Sequence, residues 1–226
     1  MNPLRLPYIA ALLTAVCASA TGCVAATPNA TAACKTGHVP SADPATDAKL
    51  RAVIASADRP AAEVMRDKYR HPRETLEFFG IRSAMSVVEL WPGAGWYTAI
   101  LAPLLAEKGK LAVTEVDSAD APHGEAGMGE GYKQRLASKP GVFGKVEVRE
   151  IHPNGDLTFG PDGSADAVVT FRSVHGWIHH GIADKVFAAA FRVLKPGGIL
   201  GVAEHRAKAD ADPMKAGDTG YVPEKY

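Results

Sequence analysis

The sequence predicts an α/β domain: a parallel sheet with helices on both faces. Three observations predict it. From residue 86 onward, short apolar runs rich in β-branched residues alternate with segments of helical spacing. The runs read as buried strands, which suits a sheet covered on both sides. The first run ends in a glycine-spaced turn, Trp91-Pro92-Gly93-Ala94-Gly95, that opens onto a helical pattern. At 226 residues, with 46% hydrophobic and 22% charged, the chain suits one globular domain with a single substantial core. Lys plus Arg and Asp plus Glu number 25 each, so no basic excess favours nucleic acid, and a small-molecule partner is expected instead.

The N-terminus is of a different kind. Arg5 precedes an apolar stretch, 9–20, that is shorter than the ~20 residues a bilayer span needs and fits a secretory signal peptide. Ala20-Thr21-Gly22-Cys23 resembles a bacterial lipobox, so residues 1–22 are expected to be removed and Cys23 lipidated. Cleavage without lipidation, after Ala18-Ser19-Ala20 or Val24-Ala25-Ala26, is the alternative. The expectation is an exported protein, periplasmic or anchored to a membrane through its lipid. Cys34 is then a lone thiol, or pairs with an unmodified Cys23. No cysteine follows, which excludes a thiolate nucleophile or cysteine-held zinc in the domain. Residues 23–46 are rich in Ala, Thr, Pro and Ser and read as a linker, leaving 47–226 as the domain.

The elements follow in order. Residues 47–56 have helical spacing, with Leu50, Val53 and Ile54 on one stripe. Residues 57–70 restart a helix with Asp58 as cap and Pro60 in the first turn. Residues 71–81 form a third, with Pro72 near its start, Gly80 at its stop, and Leu76 and Phe79 facing together. Packing of these three as a helical cap on the sheet accounts for them. Strands are expected at 86–91, 110–116, 145–151, 165–172 and 199–206. Helices are expected at 96–107, with Ile100, Leu101, Leu104 and Leu105 buried, late in the glycine-rich stretch 123–141, and at 181–194.

In such sheets a ligand sits beyond the carboxyl ends of the strands, where strand order reverses. There stand Glu89, Trp91, Pro92, Gly93, Ala94 and Gly95. Thr98 occupies the third glycine position of a dinucleotide fingerprint, which therefore fails. Glu115 and Val116 end the second strand about twenty residues further on, where a carboxylate is placed to accept from ribose hydroxyls.

These stretches resemble class I S-adenosylmethionine-dependent methyltransferases. VVELWPGAG is similar to their first motif, KLAVTEVD to the second, and RVLKPGGIL to the lead into the fifth strand. DKYRHPRETLEFFGI, ELWPGAGWYT and FRSVHGW together resemble a narrower group of exported methyltransferases. The resemblance covers about 55–226 and implies a Rossmann-like fold with S-adenosylmethionine as cofactor, held by Glu89, Gly93, Gly95 and Glu115. Three departures stand out. Trp91 replaces the first glycine of the motif. The acid usual after the third strand has no match, His152 or Pro153 standing there with Asp156 the nearest carboxylate. The final antiparallel strand pair is missing, with GYVPEKY resembling the start of the next helix, as in a shortened chain.

Methyl transfer from a sulfonium needs positioning and, for a hydroxyl or amine acceptor, a base. His175 is the candidate base, set against a purely structural hydrogen-bonded role, and Arg172 a candidate anchor for cofactor or substrate. His175 and His179 have a helical metal spacing, but no third ligand is evident, so no metal is expected. Trp91, Tyr97 and Trp177 are expected either to wall the sulfonium pocket, to pack in the core, or to plug the pocket. The plug defines one rival, a non-catalytic binding or structural lipoprotein on the same scaffold. A nicotinamide-dependent oxidoreductase is the other. The acceptor's identity and the oligomeric state are not encoded in any motif.

Overall fold

The computed structural model describes residues 43–117, 120 and 126–226. The stretch expected as a signal peptide, Cys23, Cys34 and the expected linker up to residue 42 lie outside the described residues. The first helix, α1 (Pro44–Ile54), starts three residues ahead of the expected domain boundary because Asp43 caps it, its carboxylate accepting from Thr46 N–H at 3.0 Å. Leu50 and Val53 are its buried face.

The segment expected as one helix over 57–70 forms two single turns, α2 (Ala61–Val64) and α3 (Asp67–Arg70). Pro60, not Asp58, holds the cap position. The break has a local cause. The Glu63 carbonyl accepts from Arg66 N–H at 3.0 Å and from Trp96 Nε1–H at 3.0 Å, so it is not left for a continuing helix. Arg59 then grips Asp67 through two bonds of 2.7 Å and folds the start of α3 back. His71 adopts a left-handed φ of 43°, and α4 (Pro72–Phe78) follows with proline in its first turn and Gly80, φ 69°, at its end.

The sheet and its helices then follow as β1 (Ser86–Leu90), α5 (Thr98–Leu105), β2 (Lys110–Val116), α6 (Ala126–Ser138), α7 (Pro140–Phe143), β3 (Val146–Ile151), β4 (Ala165–Phe171), α8 (Val174–His179), α9 (Ala183–Val193), β5 (Leu194–Ala203) and, after a 3₁₀ turn, α10 (Ala216–Thr219). The five strands are all parallel in the order β3-β2-β1-β4-β5. Strand order therefore reverses between β1 and β4, which pair directly, Val88 facing Val168.

Two cores sandwich the sheet. On one face Leu76, Ile100, Leu101 and Leu104, each fully buried, join α4 and α5 to the strands. On the other, Phe159, Trp177, Val186 and Ala190 do so for α8 and α9. The cap is packed tightly: a Cβ on Gly201 of β5 would stand 2.5 Å from the Phe79 ring.

Two expectations at the end of the chain are corrected. The fifth strand begins at Leu194, not 199, because Leu194 pairs with Ala165 while Ile199 pairs with Ala167, and the Pro-Gly-Gly stretch between them is accommodated as an irregularity. GYVPEKY does not open a helix: Val222 makes a parallel bridge to Arg206, its N–H donating to His205 O at 2.8 Å.

Candidate cofactor site

The site is built where the sheet's order reverses. Immediately past β1, Trp91 takes φ 47°, and immediately past β4, Arg172 takes φ 63°. Left-handed backbone at a bulky residue costs about 1–3 kcal/mol, and strain of this kind collects at functional sites. Both turns are held by hydrogen bonds: Trp91 N–H donates to Thr114 Oγ1 on β2 at 2.9 Å, and Arg172 N–H to Ala203 O on β5 at 2.7 Å. Between these diverging ends opens a cavity of about 560 Å³, within the range of small-molecule sites. Trp91, Pro92, Gly93 and Ala94 line it from β1, Val116 and Asp120 from β2, and Pro153 and Asn154 from β3. Phe171, Arg172, Ser173, His175 and Trp177 line it from β4, and Arg66 and Arg70 from the cap. A second cavity, about 460 Å³ between α1, α5 and α7, lies away from the strand ends.

The predicted residues fall into three groups. Trp91, Pro92, Gly93, Ala94, Val116, Arg172 and His175 meet at the cavity. Gly93 has φ 58° and open space where a Cβ would stand, so backbone is exposed to a ligand there. Gly95 also lies in the left-handed region, φ 76°, and a Cβ on it would strike the Tyr132 ring at 2.6 Å, so it serves the close packing of α6.

The second group stands at the cavity's inner edge. Glu89 is 1% exposed, its Oε2 accepting from Thr98 Oγ1–H at 2.7 Å. Tyr132 Oη lies 3.0 Å from the same hydroxyl. With the Thr98 proton spent on Glu89, the tyrosine is the donor. Burial pushes the Glu89 carboxyl up to about 7 and also raises the Tyr132 phenol. Thr98, fully buried, is thus the partner of Glu89, which is why the third glycine of a dinucleotide loop has no place here. Tyr97 also borders the cavity, its ring stacked on Phe171 at 3.4 Å.

Glu115 forms the third group, apart from the cavity. It points to the α6 face, with Oε1 at 3.2 Å from Lys133 Nζ and against Gly129, while Oε2 is buried without a hydrogen-bond partner among the described residues. Strand alternation turns its neighbour Val116 to the cavity instead. The carboxylate lining the cavity at this end is Asp120, held by Asn154 Nδ2 at 3.0 Å and His152 Nδ1 at 3.2 Å. Asp156, the nearest carboxylate after β3 in the sequence, is not among the lining residues, and the loop position of Asp120 hides it from any spacing argument.

Trp91 packs edge-on against Trp177 at 5.2 Å and Phe159 at 6.2 Å. Its ring forms wall, and the cavity remains open beside it. Trp177 is buried in the same wall with Nε1–H lacking a partner among the described residues.

Glu204, just past β5, is a further residue that sequence reasoning missed. Its Oε2 lies 3.0 Å from His175 Nδ1 and accepts from the His175 backbone N–H at 3.3 Å. An acid directly after a strand end was the available signal. His179, the other half of the helical pair, lies with its ring against Gly217 of α10.

A doubly wound sheet, a glycine turn after its central strand and an open cavity at the switch point define a protein of the nucleotide-cofactor-binding α/β class. Comparison narrows this. The methyltransferase domain model matches residues 90–202. The chain is 28% identical over 149 residues to the ubiquinone/menaquinone biosynthesis C-methyltransferases of Escherichia coli strain K12 / DH10B and of Shigella boydii serotype 18. Those matches cover 66% of this chain and 53% of each relative, so the chain spans about half the length of these relatives. A SAM-dependent methyltransferase from Aquifex aeolicus shares the fold with a TM-score of 0.51 at 23% identity, over 74% of this chain and 77% of that one. The chain belongs to the class I S-adenosylmethionine-dependent methyltransferase family.

Proposed function

We propose that the chain transfers a methyl group from S-adenosylmethionine to a small-molecule acceptor over the carboxyl ends of β1 and β4. The observation that carries the reading is the His175–Glu204 pair at the wall of the cavity. The residues present fit the cofactor. Gly93 leaves backbone open to it, the cavity has the volume, Trp91 and Trp177 line it with the kind of aromatic ring a sulfonium seeks, and Trp177 holds a buried donor with no acceptor among the described residues. Val116 and Pro153 supply apolar walls at the far end, with Asp120 and Asn154 as polar contacts.

Bound there, S-adenosylmethionine would supply an electrophilic methyl group for the acceptor atom, with its sulfonium sulfur as the leaving group. The chain's own part is the proton. Glu204 accepts the Nδ1–H of His175, which fixes the tautomer with a lone pair on Nε2 and offsets the charge of the imidazolium when Nε2 takes the acceptor's proton. Calorimetric titration of the full chain with S-adenosylmethionine and S-adenosylhomocysteine tests the reading, and failure to bind either overturns it. Trp91→Gly is expected to weaken S-adenosylmethionine about tenfold through loss of the aromatic wall. Tighter binding would show that Trp91 obstructs the site.

The same proposal includes export. The apolar stretch 9–20 and Cys23 support removal of residues 1–22 and lipidation of Cys23. Intact mass of the protein from a bacterial envelope should show a mature start at Cys23 carrying acyl chains; an unmodified start elsewhere removes the anchor.

A further inference from the structure

Three guanidinium groups converge on the cavity from two distant parts of the chain. Arg66 and Arg70 stand one helical turn apart at the two ends of α3, and Arg172 follows β4. All three line the cofactor cavity and also an adjoining cavity of about 360 Å³, bordered by Tyr69, Thr75 and Ala203, that opens toward β5. They form the ridge between the two. Arg70 is pinned in place, its guanidinium 4.7 Å over the Trp96 ring and 6.0 Å from that of Tyr97. Burial first, and then the like charges of Arg66 and Arg172, hold Arg70 below the usual arginine range, so the three feel one another.

Among the described residues none of the three forms an ion pair with an acid. The acids nearby have other partners: Glu63 has Arg135, Asp67 has Arg59, Glu204 has His175, Asp120 has Asn154 and His152, and Glu89 has Thr98. Three cations without an ion-pair partner among the described residues, Arg66 and Arg172 exposed and Arg70 half-buried, set up a positive field at the cavity that an anionic ligand complements. The cofactor is not that ligand, because its one carboxylate is offset by its own ammonium. The balance falls to the second substrate. The positions allow it, since Arg172 follows β4 near His175 and all three arginines border the adjoining cavity that Glu204 lines, while Arg70 also reaches the rings of Trp96 and Tyr97 past the glycine turn.

We propose that Arg66, Arg70 and Arg172 form an anion subsite for the methyl acceptor, which therefore carries a carboxylate or phosphate group. Arginine's planar fork matches either group. The assignment of this anion to an acceptor rests on the reading of the cavity as the S-adenosylmethionine site.

The test uses the full chain saturated with S-adenosylhomocysteine, titrated calorimetrically with benzoate, inorganic phosphate and benzamide as probes. Benzoate and phosphate are expected to bind and neutral benzamide not to. The double variant Arg66→Gln, Arg172→Asn keeps Arg70 on its aromatic rings, and asparagine tolerates the left-handed backbone at 172. It is expected to weaken benzoate about tenfold or more, as loss of charge-assisted bonds does, with S-adenosylhomocysteine affinity unchanged. Benzamide binding as tightly as benzoate, or a double variant equal to wild type, overturns the proposal. So does a variant that loses S-adenosylhomocysteine but keeps 5′-methylthioadenosine, which lacks the amino-acid part, because the arginines would then hold the cofactor's carboxylate. If neither cofactor form binds wild type, the methyltransferase reading fails. Benzoate titration of the free protein, wild type against double variant, then still decides the anion site.

Discussion

Glu204→Ala is expected to lower the rate of methyl transfer about a hundredfold, and His175→Ala by at least as much, the usual range for general-base catalysis. Neither change should move S-adenosylhomocysteine affinity more than twofold, because both residues stand on the β4–β5 side and not at the glycine turn. Single-turnover transfer from radiolabelled S-adenosylmethionine to an anionic acceptor separates the chemical step from binding. Glu204 is a positioning residue, acting through the imidazole, and a direct readout exists for that role. Nitrogen-15 NMR of the His175 ring should show the proton on Nδ1 in wild type and a mixture of tautomers in Glu204→Ala. Glu204→Asp, which keeps the charge on a shorter arm, should recover part of the rate, whereas Glu204→Gln, which keeps an acceptor oxygen without charge, should recover the tautomer more than the rate. Unchanged turnover in Glu204→Ala would leave the pair a structural hydrogen bond and His175 without its assigned part.

The fold was legible because periodicity and burial are written locally. Strand 110–116 was read to the residue, since Leu111 to Thr114 are apolar or β-branched and buried on both sides. The α2–α3 break was illegible for the opposite reason: it depends on Trp96, thirty-three residues away, taking the Glu63 carbonyl. The site divides in the same way. The Trp91-to-Gly95 turn follows from its position after the central strand. Spacing from that turn points to Glu115, but spacing does not fix which face a strand residue presents: Val116 lines the cavity while Glu115 meets Lys133 and Gly129. Arg66, Arg70, Asp120 and Glu204 come from the cap, a loop and the end of β5, and only the tertiary fold gathers them. Thr98, a departure from a dinucleotide motif in the sequence, supplies the hydroxyl that bonds Glu89.

That Thr98–Glu89 pair carries a second large expected effect. Burial lifts the Glu89 carboxyl from an ordinary 4.5 to about 7 in the folded protein, its one described hydrogen-bond donor, Thr98, opposing the shift without reversing it. A carboxyl whose folded value exceeds its unfolded value binds more protons in the native state, so stability falls as pH rises. The favourable contribution is complete below pH 4.5, declines between about 4.5 and 7, and is gone above that, a change of about 3 kcal/mol in all. Glu89→Gln removes the titration while keeping an oxygen for the Thr98 hydroxyl, at the cost of burying amide hydrogens. The variant should therefore be the less stable protein at pH 5, and the gap should close by about 2–3 kcal/mol by pH 8 in urea unfolding. Comparing the two proteins cancels Glu77, whose carboxyl is also raised by burial and keeps titrating in both. Parallel pH profiles would mean that Glu89 is ionised in the folded protein throughout. The same carboxyl borders the cavity, so a bound sulfonium should favour its ionised form. At pH 6.5, S-adenosylmethionine should release more protons on binding than S-adenosylhomocysteine, which lacks the charge. Calorimetry in buffers of different ionisation enthalpy should detect that excess in wild type and find it absent in Glu89→Gln.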